Sequence, residues 1–204
     1  MERTSVGWAG LNHLALITDD MDTTTRFWHG VLGAPLVATI GNASFRHYFF
    51  DVGHGATVAF FEYHGHQVNG FAKPAGVPDA RAVQFDHVSL NLPDEEALLA
   101  LRQRLLEYGC EVTDVVDHGL MRSIYFTDPN GIALEASWWA HDPTGQPPEA
   151  DQSRYGDPEP VPAARELLDT GTIRDLPQTR LVDEPTGDVY RLVGGSSGGL
   201  RGTS

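Results

Sequence analysis

Two stretches decide the fold: Gly10-Leu11-Asn12-His13-Leu14-Ala15-Leu16-Ile17 and Phe85-Asp86-His87-Val88-Ser89-Leu90-Asn91-Leu92. Both alternate in the period-two manner of a strand that buries one face. Acids that suit a helix N-terminus follow each of them, Asp19, Asp20 and Asp22 after the first and Pro93-Asp94-Glu95-Glu96 after the second. The first helix is expected to carry Phe27, Trp28, Val31 and Leu32 inward and to stop at Gly33, whose freedom at positive φ suits a helix end. The second is expected to bury a stripe of Leu98, Leu101, Leu105 and Tyr108 and to stop at Gly109.

Three β-rich runs follow each helix. They are Leu36 to Ile40, Phe45 to Asp51 and Thr57 to Tyr63 in the first half, and Glu111 to Asp117, Ser123 to Thr127 and Ile132 to Trp138 in the second. The chain therefore reads as two copies of βαβββ, an α+β architecture with modules at 8–70 and 83–140. Residues 141–204 read as a Pro/Gly-rich C-terminal extension with one short helix around Val161 to Asp169 and a Gly/Ser/Thr-rich end from Gly194.

Composition narrows the functional classes. With 204 residues and 41% apolar content the chain is long and apolar enough to bury a core. The 14 basic and 28 acidic residues leave a net charge of −14, and no Lys/Arg run offsets it, so a nucleic-acid partner is not expected. The single cysteine, Cys110, forms no internal disulfide, which fits a reducing, cytoplasmic setting. The N-terminus shows no apolar leader and no stretch is long enough to span a bilayer, so no membrane association is expected.

The polar residues carry the chemistry. Alternation puts His87, Ser89 and Asn91 on one face of their strand, aligns His13 with Ala15 and Ile17, groups Glu62 with His64 and His66, and groups Glu135 with Ala133 and Ser137. The repeat spacings nearly coincide, since 87 − 13 = 74 and 135 − 62 = 73, so each opening histidine is followed by a glutamate 48 or 49 residues on. An inward carboxylate stays ionised only with a cation or a hydrogen-bonding network beside it, and two repeated His/Glu pairs point to a divalent metal.

From Leu11 to Trp139 the sequence resembles the vicinal oxygen chelate superfamily, which includes glyoxalase I, bleomycin and fosfomycin resistance proteins, and type I extradiol ring-cleaving dioxygenases. The resemblance implies paired modules forming a cup-shaped mixed sheet around a divalent metal, with His13, His87 and Glu135 as ligands. The run from Val116 to Glu135, with His118, Tyr125 and Asp128-Pro129-Asn130-Gly131, looks like the extradiol dioxygenase signature. It implies that His118 and Tyr125 hydrogen-bond a catecholate held on Fe(II), Mn, Zn, Ni and Co being the other metals of the pattern. The expected activity is cleavage of a small aromatic diol with O2.

Glu62 offers an alternative: as a fourth ligand it resembles the arrangement of metal-dependent lyases and isomerases, and outside the metal shell it leaves His64 or His66 to handle protons. A third reading is an antibiotic-sequestering binding protein. A homodimer that covers the open sheet edge is also expected.

Overall fold

Asp20 and Asp94 start the two main helices by accepting the N–H groups of Thr23 and Ala97, at 2.9 and 2.8 Å. The computed structural model describes residues 9–81, 85–144 and 157–173. Along them run β1 (His13–Ile17), α1 (Met21–Thr25), β2 (Leu36–Gly41), β3 (Phe45–Asp51), β4 (Thr57–Tyr63), β5 (Val88–Asn91), α2 (Glu95–Glu107), β6 (Val116–Asp117), β7 (Met121–Thr127), β8 (Ala133–Trp139) and α3 (Pro162–Thr170). The expected first helix is split: after α1 the chain continues as a π-helical stretch, Arg26–Val31, and closes at Gly33 with φ +75°.

The strands form two four-stranded mixed sheets, ordered β1-β4-β3-β2 and β5-β8-β7-β6, with a parallel pair (β1 with β4, β5 with β8) in each. This is the doubled βαβββ, α+β architecture that the repeat predicts. The chain divides into two units, Met1–Gln146 and Pro147–Ser204. Within the described part of the second unit, α3 starts after Val161 and ends at Gly171, whose φ is +70°. The first eight residues and the Gly/Ser/Thr-rich end lie outside the described residues.

Within the first unit, one apolar cluster takes Trp28, Phe50, Val58 and Phe60 from module one and Leu98, Leu105, Ile124 and Leu134 from module two. Burying such side chains contributes on the order of 1.5–3 kcal/mol each before the entropy of ordering is deducted. Tyr108 departs from the expected stripe: it ends α2, stands 58% exposed, and lies under the Arg104 guanidinium at 5.6 Å. The expected strand Glu111 to Asp117 shrinks to β6 and an isolated bridge, Val112 with Phe126. Thr113 explains the shortening, because its hydroxyl takes the Tyr125 N–H at 3.0 Å while Arg102 takes its carbonyl. The strand opening the second module starts at Val88 rather than Phe85, after Asp86 has been claimed by the linker between the modules.

The turn Asp128-Pro129-Asn130-Gly131 ties the two modules together. Asp128 is 4% exposed and accepts from Trp28 Nε1 at 3.2 Å, from the N–H groups of Asn130 and Ile132 at 2.8 and 2.9 Å, and from Asn130 Nδ2 at 3.0 Å. Asn130 in turn meets the hydroxyls of Thr18 and Thr24, both buried in module one. Gly131 sits at φ +83°, where a Cβ would lie 2.6 Å from the Phe71 carbonyl oxygen.

Replacing Asp128 by Ala leaves buried donors in both modules unpaired. Asp128→Ala is therefore expected to lower stability by about 2–4 kcal/mol in urea unfolding, with little change in the slope against denaturant. A loss below about 0.5 kcal/mol would show that the turn does not join the modules.

Candidate functional site

The register of β5, β8 and β7 gathers one polar face. Ser89 pairs with Glu135, Asn91 with Ser137, Tyr125 with Glu135 and Ser123 with Ser137, so these side chains and that of His87, one residue before β5, share a face opposite the apolar cluster. Val88, Leu90, Leu134 and Ala136 take the other face and pack into or against the core. Alternation along two neighbouring strands is thus enough to assemble the group.

Its centre is Glu135, 4% exposed. His87 Nε2 lies 3.0 Å from Oε2, and the Tyr125 hydroxyl donates to Oε1 at 3.0 Å. Burial pushes the Glu135 pKa up, but neighbouring Ser123, Ser89 and Tyr125 hydroxyls and the His87 charge outweigh it, and the net direction is down. The Ser123 hydroxyl stands beside the carboxylate without meeting strict hydrogen-bond geometry, and Ser89 Oγ is 2.8 Å from Ser137 Oγ. The carboxylate is therefore held ionised in a buried place. Tyr125 moves the opposite way, its pKa raised by burial and by its bond to Glu135, so its phenol keeps the proton at neutral pH.

Two outer residues fix the orientation of this pair. His118 Nε2 lies 2.8 Å from the Tyr125 oxygen; because that hydroxyl donates to Glu135, the imidazole donates to it, which assigns the proton of His118 to Nε2. On the other side His87 Nδ1 lies 2.6 Å from Asp86 Oδ1. The Lys73 ammonium first, then the Gly76 N–H and His87, hold the Asp86 carboxyl well below the usual carboxylate range. A hydrogen-bonded path thus runs from Asp86 through His87, Glu135 and Tyr125 to His118.

The donor set fits a metal at one end. Asp86 engages His87 Nδ1, which leaves Nε2, 3.0 Å from the Glu135 carboxylate, as the atom that would meet a cation in place of that contact. The 3.0 Å separation matches two ligands in adjacent positions at about 2.1 Å from one ion. Among the described residues, however, no group of three His, Cys, Asp or Glu side chains gathers closely enough to hold a metal. The expected convergence of His13 with His87 and Glu135 is not made within the chain. His13 is exposed, bonds Asn12 Oδ1 at 2.7 Å, and faces the rings of Phe49 and His47.

Glu62 also departs from expectation. His13 is opposite Thr57, and Ile17 opposite Phe61, so Glu62 falls on the other face, with Val58 and Phe60. There its Oε2 accepts the Met21 N–H at the start of α1, at 2.8 Å, and its Oε1 accepts from Arg46 at 2.7 Å. The spacings explain the error. From His13 to Glu62 is 49 residues and from His87 to Glu135 is 48, and an odd difference turns a side chain to the opposite face. In the sheets, the counterpart of Glu135 is Ala59 and that of Tyr125 is Phe49.

His64 lies in the turn after β4, with Nδ1 3.0 Å from the Ala43 carbonyl, and His66 is near the Tyr63 ring; neither belongs to the Glu135 group. Asp86 and Lys73 were not singled out from the sequence. Asp86 stands next to His87 in the opening stretch, and the habit of histidine ligands to bond a carboxylate through their second nitrogen is the signal that finds it.

Residues 10–136 match the Glyoxalase/Bleomycin resistance protein/Dioxygenase superfamily. The fold is similar to a glyoxylase/bleomycin resistance protein/dioxygenase domain from Frankia sp. EAN1pec, at 21% identity and a TM-score of 0.56 over 65% of this chain and 99% of that one. It is also similar to TnmS3, an antibiotic binding protein from Streptomyces sp. CB03234, at 15% identity and a TM-score of 0.51 over 67% of this chain and 100% of that one. None of the curated proteins matches the chain.

His47, 8% exposed and stacked on Phe61 at 3.5 Å, shares the face of His13 and leaves its Nε2 without a partner. Burial, with the charge of His13 second, lowers its pKa from 6.5 to about 4. The folded chain thus accepts the neutral ring, and the stabilisation is complete above pH 6.5 and lost as the pH falls through 4. Over that interval the loss amounts to at most about 3 kcal/mol. Urea titrations of His47→Phe are expected to show a flatter stability curve between these limits than the parent; parallel curves would contradict the assignment.

Proposed function

Since the chain belongs to the Glyoxalase/Bleomycin resistance protein/Dioxygenase superfamily, we propose that it is a metal-dependent enzyme that cleaves a small aromatic diol with O2. The observation that carries this reading is the hydrogen-bonded path His118–Tyr125–Glu135–His87 on the polar face of the second sheet. His87 and Glu135 would hold the cation, Fe(II) by preference for two imidazoles and a carboxylate. His13 of a second copy would complete the set, which is consistent with its exposure and with its separation from the other two in one chain. When bound, such an ion supplies activation of O2 and a positive charge for the diol oxygens.

The protein residues have separable tasks. Tyr125 presents a protonated hydroxyl beside the carboxylate, so a diol oxygen arriving there meets a hydrogen-bond donor. His118 holds that hydroxyl from its far side and provides the group through which a proton can leave or return. Asp86 fixes which nitrogen of His87 is free. The lyase reading that recruits Glu62 is less well supported, because Glu62 faces the core side and is committed to Arg46 and the start of α1. A sequestering protein has no need of this chain of ionisable groups.

Two measurements test the proposal. Protein loaded anaerobically with Fe(II) is expected to consume O2 when given a simple catechol, and no uptake across a panel of substituted catechols would overturn the activity. His13→Ala and Glu135→Ala, each inactive alone, are expected to regain roughly a quarter of the parent rate when co-refolded, since half of random dimers carry one intact site of two. A mixture that stays inactive would place the third ligand elsewhere.

A further inference from the structure

We propose that Lys73, in the linker between the modules, is a positioning residue for His87 and acts through Asp86. The inference rests on the reading of His87 as a ligand and adds a residue remote from the sheet.

Lys73 is 8% exposed, unusual burial for an ammonium, and it is compensated on two sides: Nζ donates to Asp86 Oδ2 at 2.6 Å and to the Pro74 carbonyl at 3.1 Å. The other oxygen of the same carboxylate accepts the Gly76 N–H at 2.7 Å and faces His87 Nδ1 at 2.6 Å. The linker thus grips both oxygens of Asp86 and leaves it one orientation, the one in which Oδ1 accepts the hydrogen bond of His87 Nδ1. His87 Nε2 is then directed at Glu135. A lysine serving only to pin the linker has no need of the carboxylate that also holds the histidine. Without Lys73, Asp86 is free to turn to solvent, since its side chain is already 48% exposed, and the His87 ring loses the contact that fixes its orientation.

The test uses the full chain and two readouts. In metal-free protein, NMR is expected to show a His87 Nδ1–H signal slowed in exchange with water in the parent and lost in Lys73→Met. Asp86→Asn, at an exposed position, is expected to do the same and serves if Lys73→Met does not fold. In Co(II) titrations followed by visible absorption, Lys73→Met is expected to bind about tenfold more weakly, and the double variant no more weakly than Asp86→Asn alone. An unchanged His87 Nδ1–H signal in either folded variant, or additive losses in the double variant, would overturn the proposal. If the parent takes up no Co(II) while its His87 Nδ1–H signal still responds to Lys73→Met, the metal reading fails and the positioning role stands.

Discussion

A buried carboxylate that must stay charged organises the second module. Glu135 is almost wholly removed from water, and an isolated ion in such a place would neutralise itself. Neighbours on its face answer that demand, by a hydroxyl from Tyr125, an imidazole from His87, and the small polar side chains of Ser89 and Ser123. The ring of His87 then needs an orientation of its own, which Asp86 provides from the linker. The chemistry of the site is thus a sequence of obligations that begins with one negative charge on β8.

The two modules answer the same backbone plan with different side chains. Where module two has Glu135, Tyr125 and Ser137, the matching places in module one hold Ala59, Phe49 and Phe61. Module one therefore carries an aromatic face, in which His47 lies flat on Phe61 and His13 stands at the edge near Phe49. Only His13 keeps its character across the repeat. That division of labour suits a site in which one module contributes a single imidazole and apolar rings, while the other contributes the ionised and protonated groups.

Much of this was legible in the sequence, and the failures have physical causes. The strands Phe45–Asp51 and Thr57–Tyr63 fall on the β-rich runs of the sequence, because aromatic and β-branched residues suit a pleated, half-buried surface. His87, Glu135, Tyr125 and His118 were also found in the sequence and meet in space. Glu62 misled because counting residues across unequal turns does not preserve parity, and a shift of one reverses the face. His13 was expected beside His87 because the repeat does not say whether like positions meet within one chain. The Asp-Pro-Asn-Gly run was read for its place in a catalytic signature, whereas its aspartate and asparagine visibly knit the two modules. Asp86 and Lys73 escaped notice because their partnership depends on the path of the linker, which no periodicity reports.

The central claim is that His87 and Glu135 form the ligand end of a metal centre. X-ray absorption on the Co(II)-loaded protein measures this most directly, because the scattering from imidazole rings counts the histidines on the ion. The account requires two imidazoles and a carboxylate on the bound ion, with one of the imidazoles lost in His87→Ala. A bound ion whose spectrum is the same in the parent, in His87→Ala and in Glu135→Gln would contradict it.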